Sequence, residues 1–126
     1  MLAGQVSVLV HNCDFGPGKA DEKYDKHVLG LDDHGNPTRT PDMPEYDYDG
    51  GFEQMVDDAK ALMCSDTCPV GAQETRRTLN GVTTIIRLDS QGRVGMRVGN
   101  KITTYFRPGV NGGKSPQEYF DGEANR

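Results

Sequence analysis

The chain's three histidines, His11, His27 and His34, and a set of arginines are the residues best suited to chemistry. Histidine can take or give a proton near neutral pH. Arginine stays charged and grips phosphate with two parallel hydrogen bonds. His27 stands in KADEKYDKHVLG (19–30) and His34 in the loop that follows. In the second half Arg76, Arg87, Arg97 and Arg107 recur, and alternation puts them on one sheet face with Thr83, Thr103 and Tyr105. Together such groups can move protons and steady developing negative charge. A different chemistry is written near the start, where VLVHNC (8–13) ends an apolar run in His11-Asn12-Cys13. An Asn amide can attack its own carbonyl, form a succinimide and cut the chain. A preceding His helps by polarising that carbonyl or protonating the leaving nitrogen. The plainer readings are a turn-forming Asn12 and a small buried Cys13.

These groups need a scaffold, and 126 residues suffice for one domain with a single core. The apolar share is 34% with no Trp, so the core is modest, and 16 Gly and 7 Pro mark a loop-rich chain. No run of about 18 apolar residues exists to span a membrane. The start MLAGQVSVLV lacks the basic region and the length of a signal peptide, so any export is expected to be arranged from outside the chain. The net charge of −5 is unevenly spread: residues 1–70 carry 14 acidic against 5 basic side chains, residues 71–126 carry 5 against 9. The basic second half points to an anionic partner, with an uneven solvated surface as the alternative.

The scaffold divides into readable pieces. Residues 19–30 predict a short helix, 30–51 a long loop of the functional or mobile kind, and 52–64 the strongest helix. In that helix Phe52, Met55, Val56, Ala59, Leu62 and Met63 form one apolar stripe. From 74 to 108 the period switches to two, and Asn80-Gly81 marks a hairpin, with further turns at 90–92 and 99–100. The expected fold is α+β, with N-terminal helices packed on a four-stranded antiparallel β-meander. Val82, Thr84, Ile86, Leu88, Val94, Met96, Val98, Ile102, Thr104 and Phe106 are expected to meet the 52–64 helix. The arginine face, read as free of carboxylates, is expected to stay open; an ordinary solvated face is the alternative. Cys64 and Cys68 (CSDTC) could close a small disulfide or supply half a metal site. No second cysteine pair accompanies them, and no metal is expected. The acidic stretch 42–58 is expected to lie away from any anionic substrate.

GQVSVLVHNC resembles the C-terminal border of intein and Hedgehog-type autoprocessing modules. More narrowly it resembles the junction before the variable C-terminal toxin of bacterial polymorphic toxins, of the Rhs and contact-dependent inhibition types. The resemblance implies that residues 1–12 are the stub of an upstream module, with His11, Asn12 and Cys13 as the autoprocessing junction. Residues 13–126 are then a toxin domain, with a core of about 20–108 and a flexible tail, 109–126. Such a domain is delivered as part of a larger secreted protein, acts in the target-cell cytoplasm and is neutralised by a cognate immunity protein.

The order of a His-bearing helix, a second helix and a meander ending ITTYFRP resembles the ribonuclease superfamily of barnase, RelE, colicin D and the EndoU-like toxins. This implies a metal-independent endoribonuclease without cofactor, acting on RNA, tRNA among the candidates, and leaving 2′,3′-cyclic phosphate ends. The implied catalytic set is His27, Arg97, Thr103 and Tyr105, with Arg87, Arg76, Arg107 and His34 binding substrate. RNA supplies its own nucleophile, the 2′-OH, so proton transfer and charge stabilisation are all the protein must add. His27 could instead simply cap or pack. Two rivals accompany this reading. An ADP-ribosyltransferase or NADase toxin needs a catalytic Glu, for which the late carboxylates are Glu118, Asp121 and Glu123. A non-enzymatic module would use the arginine face for docking alone.

Overall fold

Asn80 and Gly81 both adopt the left-handed backbone, at φ 54° and 79°, which a two-residue hairpin requires of its central pair. They join β2 (Gln73–Leu79) to β3 (Val82–Leu88), and β4 (Val94–Val98) and β5 (Lys101–Phe106) continue the meander. The computed structural model describes residues 9–125. It is α+β, as expected, but its sheet has five strands in the order β1-β5-β4-β3-β2. The added strand, β1 (Asp14–Phe15), runs parallel to β5, with Phe15 opposite Ile102. The sheet is therefore mixed rather than a purely antiparallel meander.

Helix α1 (Lys19–Lys23) runs into a π turn, Tyr24–Val28, closed by a bond from the Leu29 N–H to the Tyr24 carbonyl at 3.1 Å. That wider turn carries His27 and Val28, both buried. Helix α2 (Gly51–Met63) matches the predicted stripe. It starts hard against a 3₁₀ turn, Pro44–Tyr46: a Cβ on Gly51 would lie 1.7 Å from the Tyr46 carbonyl oxygen, so only glycine fits. Helix α3 (Pro116–Ala124) replaces the expected flexible tail. Its signal is Ser115-Pro116-Gln117-Glu118, a capping box in which the Glu118 N–H donates to Ser115 Oγ at 3.2 Å and the Ser115 N–H donates to Glu118 Oε1 at 3.0 Å.

The sheet is covered on both faces, and the faces are the reverse of those expected. Ile86, Leu88, Val94 and Met96 pack with Phe120 of α3. Helix α2 lies on the other face, the one carrying Arg87, Gly95, Arg97 and Tyr105. There Met55, Ala59, Leu62 and Met63 join Phe15, Val28, Met43, Tyr46, Ile102 and Tyr105. Each large apolar side chain so buried contributes about 1.5–3 kcal/mol. Gly95 lets the helix sit close, since a Cβ there would come 2.7 Å from Met63 Sδ. The expected single core of Phe52, Val56, Leu62, Ile86, Val94, Met96 and Phe106 is thus divided between two. A bulge explains one part of the misreading. Met96 pairs with Thr104 but Arg97 pairs with Ile102, leaving Thr103 extra. The phase of β5 shifts there, so Ile102 and Tyr105 both face α2.

Cys13 and Cys64 form a disulfide across 51 residues of sequence, with Cα atoms 5.7 Å apart. Of the two options left open for Cys64 and Cys68, the small disulfide does not form: Cys68 is free, and burial pushes its thiol pKa up. Residues 9–12 lie along the domain, the Val10 N–H donating to the Cys64 carbonyl at 2.6 Å and Leu9 bridging Ser65. Residues 1–8 of the expected stub fall outside the described residues. His11 and Asn12 are exposed, Asn12 at φ 54°, while the disulfide occupies the Cys13 sulfur. No helix among the described residues is long and apolar enough to cross a membrane.

Candidate active site

A helix leaves its last carbonyls without partners, and they must be met by something. Two of the expected site arginines meet those of α2. Arg87, wholly buried, donates from Nη1 to the Leu62 carbonyl at 2.9 Å and the Ser65 carbonyl at 3.0 Å, while Nε donates to Glu74 Oε1 at 2.9 Å. Arg97 donates to the Met63 carbonyl at 2.6 Å and the Gly99 carbonyl at 2.5 Å. The face expected to lie open is the floor under α2, and it carries a carboxylate after all, Glu74. A polar alternation pattern cannot distinguish arginines that greet solvent from arginines that cap a helix end. Arg76 remains exposed on β2, 3.6 Å from Glu74 Oε2. Thr103 is the bulge residue, and His34 is exposed in a turn organised by Asp32 Oδ1, which accepts the N–H groups of His34 and Asn36.

His27 and Arg107, two more of the expected site residues, come together, and a carboxylate from the acidic stretch joins them. His27 Nδ1 lies 2.7 Å from Asp42 Oδ2, and the carboxylate is itself buried. The Arg107 N–H donates to Asp42 Oδ1 at 3.0 Å, and its Nη1 donates to the Asp42 carbonyl at 2.7 Å. The imidazole packs on Phe106 with ring centroids 5.4 Å apart. With Nδ1 held by Asp42, Nε2 is the nitrogen left for proton transfer, and 6% of the side-chain surface stays exposed. A carboxylate in this position fixes the tautomer and the orientation of the ring.

Beside this pair is a pocket of about 150 Å³ between the end of β5, the 108–114 loop and the 39–42 segment. Arg39, Arg107 and Lys114 line it, together with Asp42, Phe106 and Tyr119. Arg39 Nε is buried without a hydrogen-bond partner, and Arg39 Nη2 is 3.9 Å from Asp42 Oδ2. An unpaired buried donor of a guanidinium is costly and is relieved by an anion. Asn111 clasps the two sides of the pocket, accepting from the Thr40 N–H at 3.0 Å and donating to the Thr40 carbonyl at 2.8 Å. The pocket is lined by three cationic side chains and walled by the same Asp42 and Phe106 that hold His27.

No protein-family model, curated protein or solved structure matches the chain.

Glu45 extends the site towards Tyr105. Arg107 Nη2 and Arg93 Nε both donate to Glu45 Oε2, at 2.7 and 2.9 Å. Burial works to raise the Glu45 pKa, but hydrogen bonds from Arg107, its own backbone N–H and Arg93 outweigh it and hold it at about 2. Tyr105 is fully buried; burial raises its pKa to about 12, so it stays a protonated donor. Asp42 and Glu45 lie in the stretch expected to turn away from the site. Nothing local marked them, because the side chains that recruit them, His27, Arg93 and Arg107, come from distant parts of the chain. The late carboxylates have other work: Glu118 caps α3, Glu123 pairs with Arg77, and Asp121 accepts from Gln117 at 3.0 Å.

Proposed function

We propose that this domain is a metal-independent endoribonuclease toxin whose proton-transfer group is His27. The observation that carries the reading is the Asp42-held imidazole beside a pocket lined by Arg39, Arg107 and Lys114. His27 Nε2 takes the proton of a ribose 2′-OH, the 2′-oxygen attacks phosphorus, and the P–O5′ bond breaks. Lys114 or water protonates the departing 5′-oxygen. Arg39 and Arg107 steady the charge on the phosphorane, Arg39 through its unpaired Nε–H. The expected catalytic arginine, Arg97, passes its role to these two, since it is buried under α2 on the Met63 and Gly99 carbonyls whereas Arg39 and Arg107 line the pocket.

The Cys13–Cys64 bond supports a protein that leaves the cytoplasm before it acts, because disulfides persist in oxidising compartments. Delivery into a competitor, release at His11-Asn12-Cys13 and neutralisation by an immunity protein belong to the same proposal and rest on the toxin-like junction. Against the ADP-ribosyltransferase and NADase reading stands the structural employment of the late carboxylates. Against pure docking stands the cover over the arginine face. The test is to incubate the full chain with total RNA in EDTA, and separately with NAD. RNA fragments bearing 2′,3′-cyclic phosphates with NAD intact support the proposal. Intact RNA with NAD consumed replaces it with the transferase reading.

A further inference from the structure

An open sheet has two edges, and each edge strand turns a row of N–H and C=O groups outward. One edge here is β1, two residues long. The other is β2, seven residues with neither Pro nor Gly, in unbroken register with β3 from Gln73 opposite Leu88 to Leu79 opposite Val82. Edges are commonly blunted by shortness, proline, a bulge or charged side chains. Only charge is present on β2. A two-residue turn closes on a hydrogen-bonded pair, here Leu79 and Val82, and such pairs recur at every second position. Leu79, Arg77, Thr75 and Gln73 therefore bond to β3. The N–H and C=O groups of Glu74, Arg76 and Thr78 face outward, where no described strand pairs with them.

The charges on this edge are of both signs, and their spacing makes the strand complementary to itself. Glu74 gives Oε1 to Arg87 Nε at 2.9 Å, while its Oε2 lies 3.6 Å from Arg76 Nε, too far for a strong hydrogen bond. Arg76 is exposed. Consider a second β2 laid antiparallel with Thr75 opposite its own equivalent. Glu74 then faces the partner's Arg76, and Arg76 faces the partner's Glu74. Both are outward-bonding positions, so each pair exchanges two backbone hydrogen bonds. Opposite charges directly across a ladder stabilise it, whereas the neighbouring register, Arg76 on Arg76, sets like charges together. The favoured register also brings the half-exposed Leu79 level with the partner's Gly71, next to the partner's Val70, which is fully exposed.

We propose that the β2 edge binds a second copy of this chain, β2 to β2 about Thr75, joining two five-stranded sheets into one. The pocket beside His27 lies past β5, three strands away, and stays open. The pairing does not rest on the ribonuclease reading. The test is sedimentation velocity of the full chain from micromolar to millimolar concentration, with backbone hydrogen exchange at both ends of that range. The wild type should become dimeric as concentration rises, and the Glu74 and Arg76 amides should exchange more slowly in the dimer. Arg76→Glu opposes two carboxylates and should raise the dissociation constant by about tenfold or more. Arg76→Pro removes an outward donor without touching the β3 ladder and should also give a folded monomer. A dimer indifferent to both substitutions, or one whose Glu74 and Arg76 amides exchange as fast as in the monomer, overturns the proposal. A wild type that stays monomeric at millimolar concentration overturns it too, and leaves the edge to a strand of another protein.

Discussion

Asp42 Oδ2 sits 2.7 Å from His27 Nδ1, and Asp42 Oδ1 receives the backbone N–H of Arg107 at 3.0 Å. One buried carboxylate thus fixes the imidazole and ties it to the arginine at the end of the last strand. Replacing it by an amide keeps the shape but loses the charge. Asp42→Asn should lower RNA turnover by about 10²–10⁴-fold, the range for a lost acid–base contribution. It should also lower stability by about 1–3 kcal/mol through the weakened charged hydrogen bonds. Single-turnover rates and a denaturant melt on the same sample separate the two effects.

Arg97 should behave differently from His27. Its guanidinium holds the Met63 and Gly99 carbonyls, and burial, then the nearby Arg87 and Arg76, lower its pKa. Arg97→Ala should destabilise the fold by about 1–3 kcal/mol by leaving the buried Met63 carbonyl unpaired. The fraction that remains folded should cut RNA at close to the normal rate. A folded but inactive Arg97→Ala protein would return Arg97 to the catalytic set.

The hairpin and the strand periods were readable because Asn80-Gly81 and the alternation of β2 to β5 are local matters. Period two sorts side chains into two faces, yet says nothing of which helix covers which. That depends on the ends of α2, whose carbonyls need Arg87 and Arg97, and on α3, whose one local signal is the Ser115–Glu118 capping box. His27 could be singled out as a residue type. Its partner could not, since Asp42 lies 15 residues away in a loop and is recruited by Arg107. The disulfide was equally hidden, because 51 residues separate two cysteines whose meeting is a product of the finished fold.

Reduction should expose that dependence. Closing a loop of 51 residues gives a chain-entropy stabilisation of about 4 kcal/mol. Thermal melts should therefore drop sharply for Cys13→Ser or under dithiothreitol, while Cys68→Ser leaves the midpoint close to that of the wild type. Equal midpoints for oxidised and reduced protein would show that the bond adds little.

Acid should find Glu45. Its carboxyl is held at about 2, below the ordinary 4.5, so its pairing with Arg107 and Arg93 is complete above pH 4.5 and is lost as pH falls towards 2. Because the carboxylate is well exposed and screened, the contribution should be about 1 kcal/mol rather than the amount the shift alone implies. Glu45→Gln should be less stable by that amount at pH 7, with the difference shrinking as acid is added. A difference that stays constant from pH 7 to pH 2 would contradict the assignment.

The rate at which His27→Ala cleaves a short single-stranded RNA in EDTA, set against the wild type, tests the central claim most directly. Circular dichroism of both proteins supplies the folding control. The account predicts a folded variant slowed by about 10²–10⁴-fold, with any residual product still ending in a 2′,3′-cyclic phosphate. A folded His27→Ala protein that cuts RNA as fast as the wild type would contradict it.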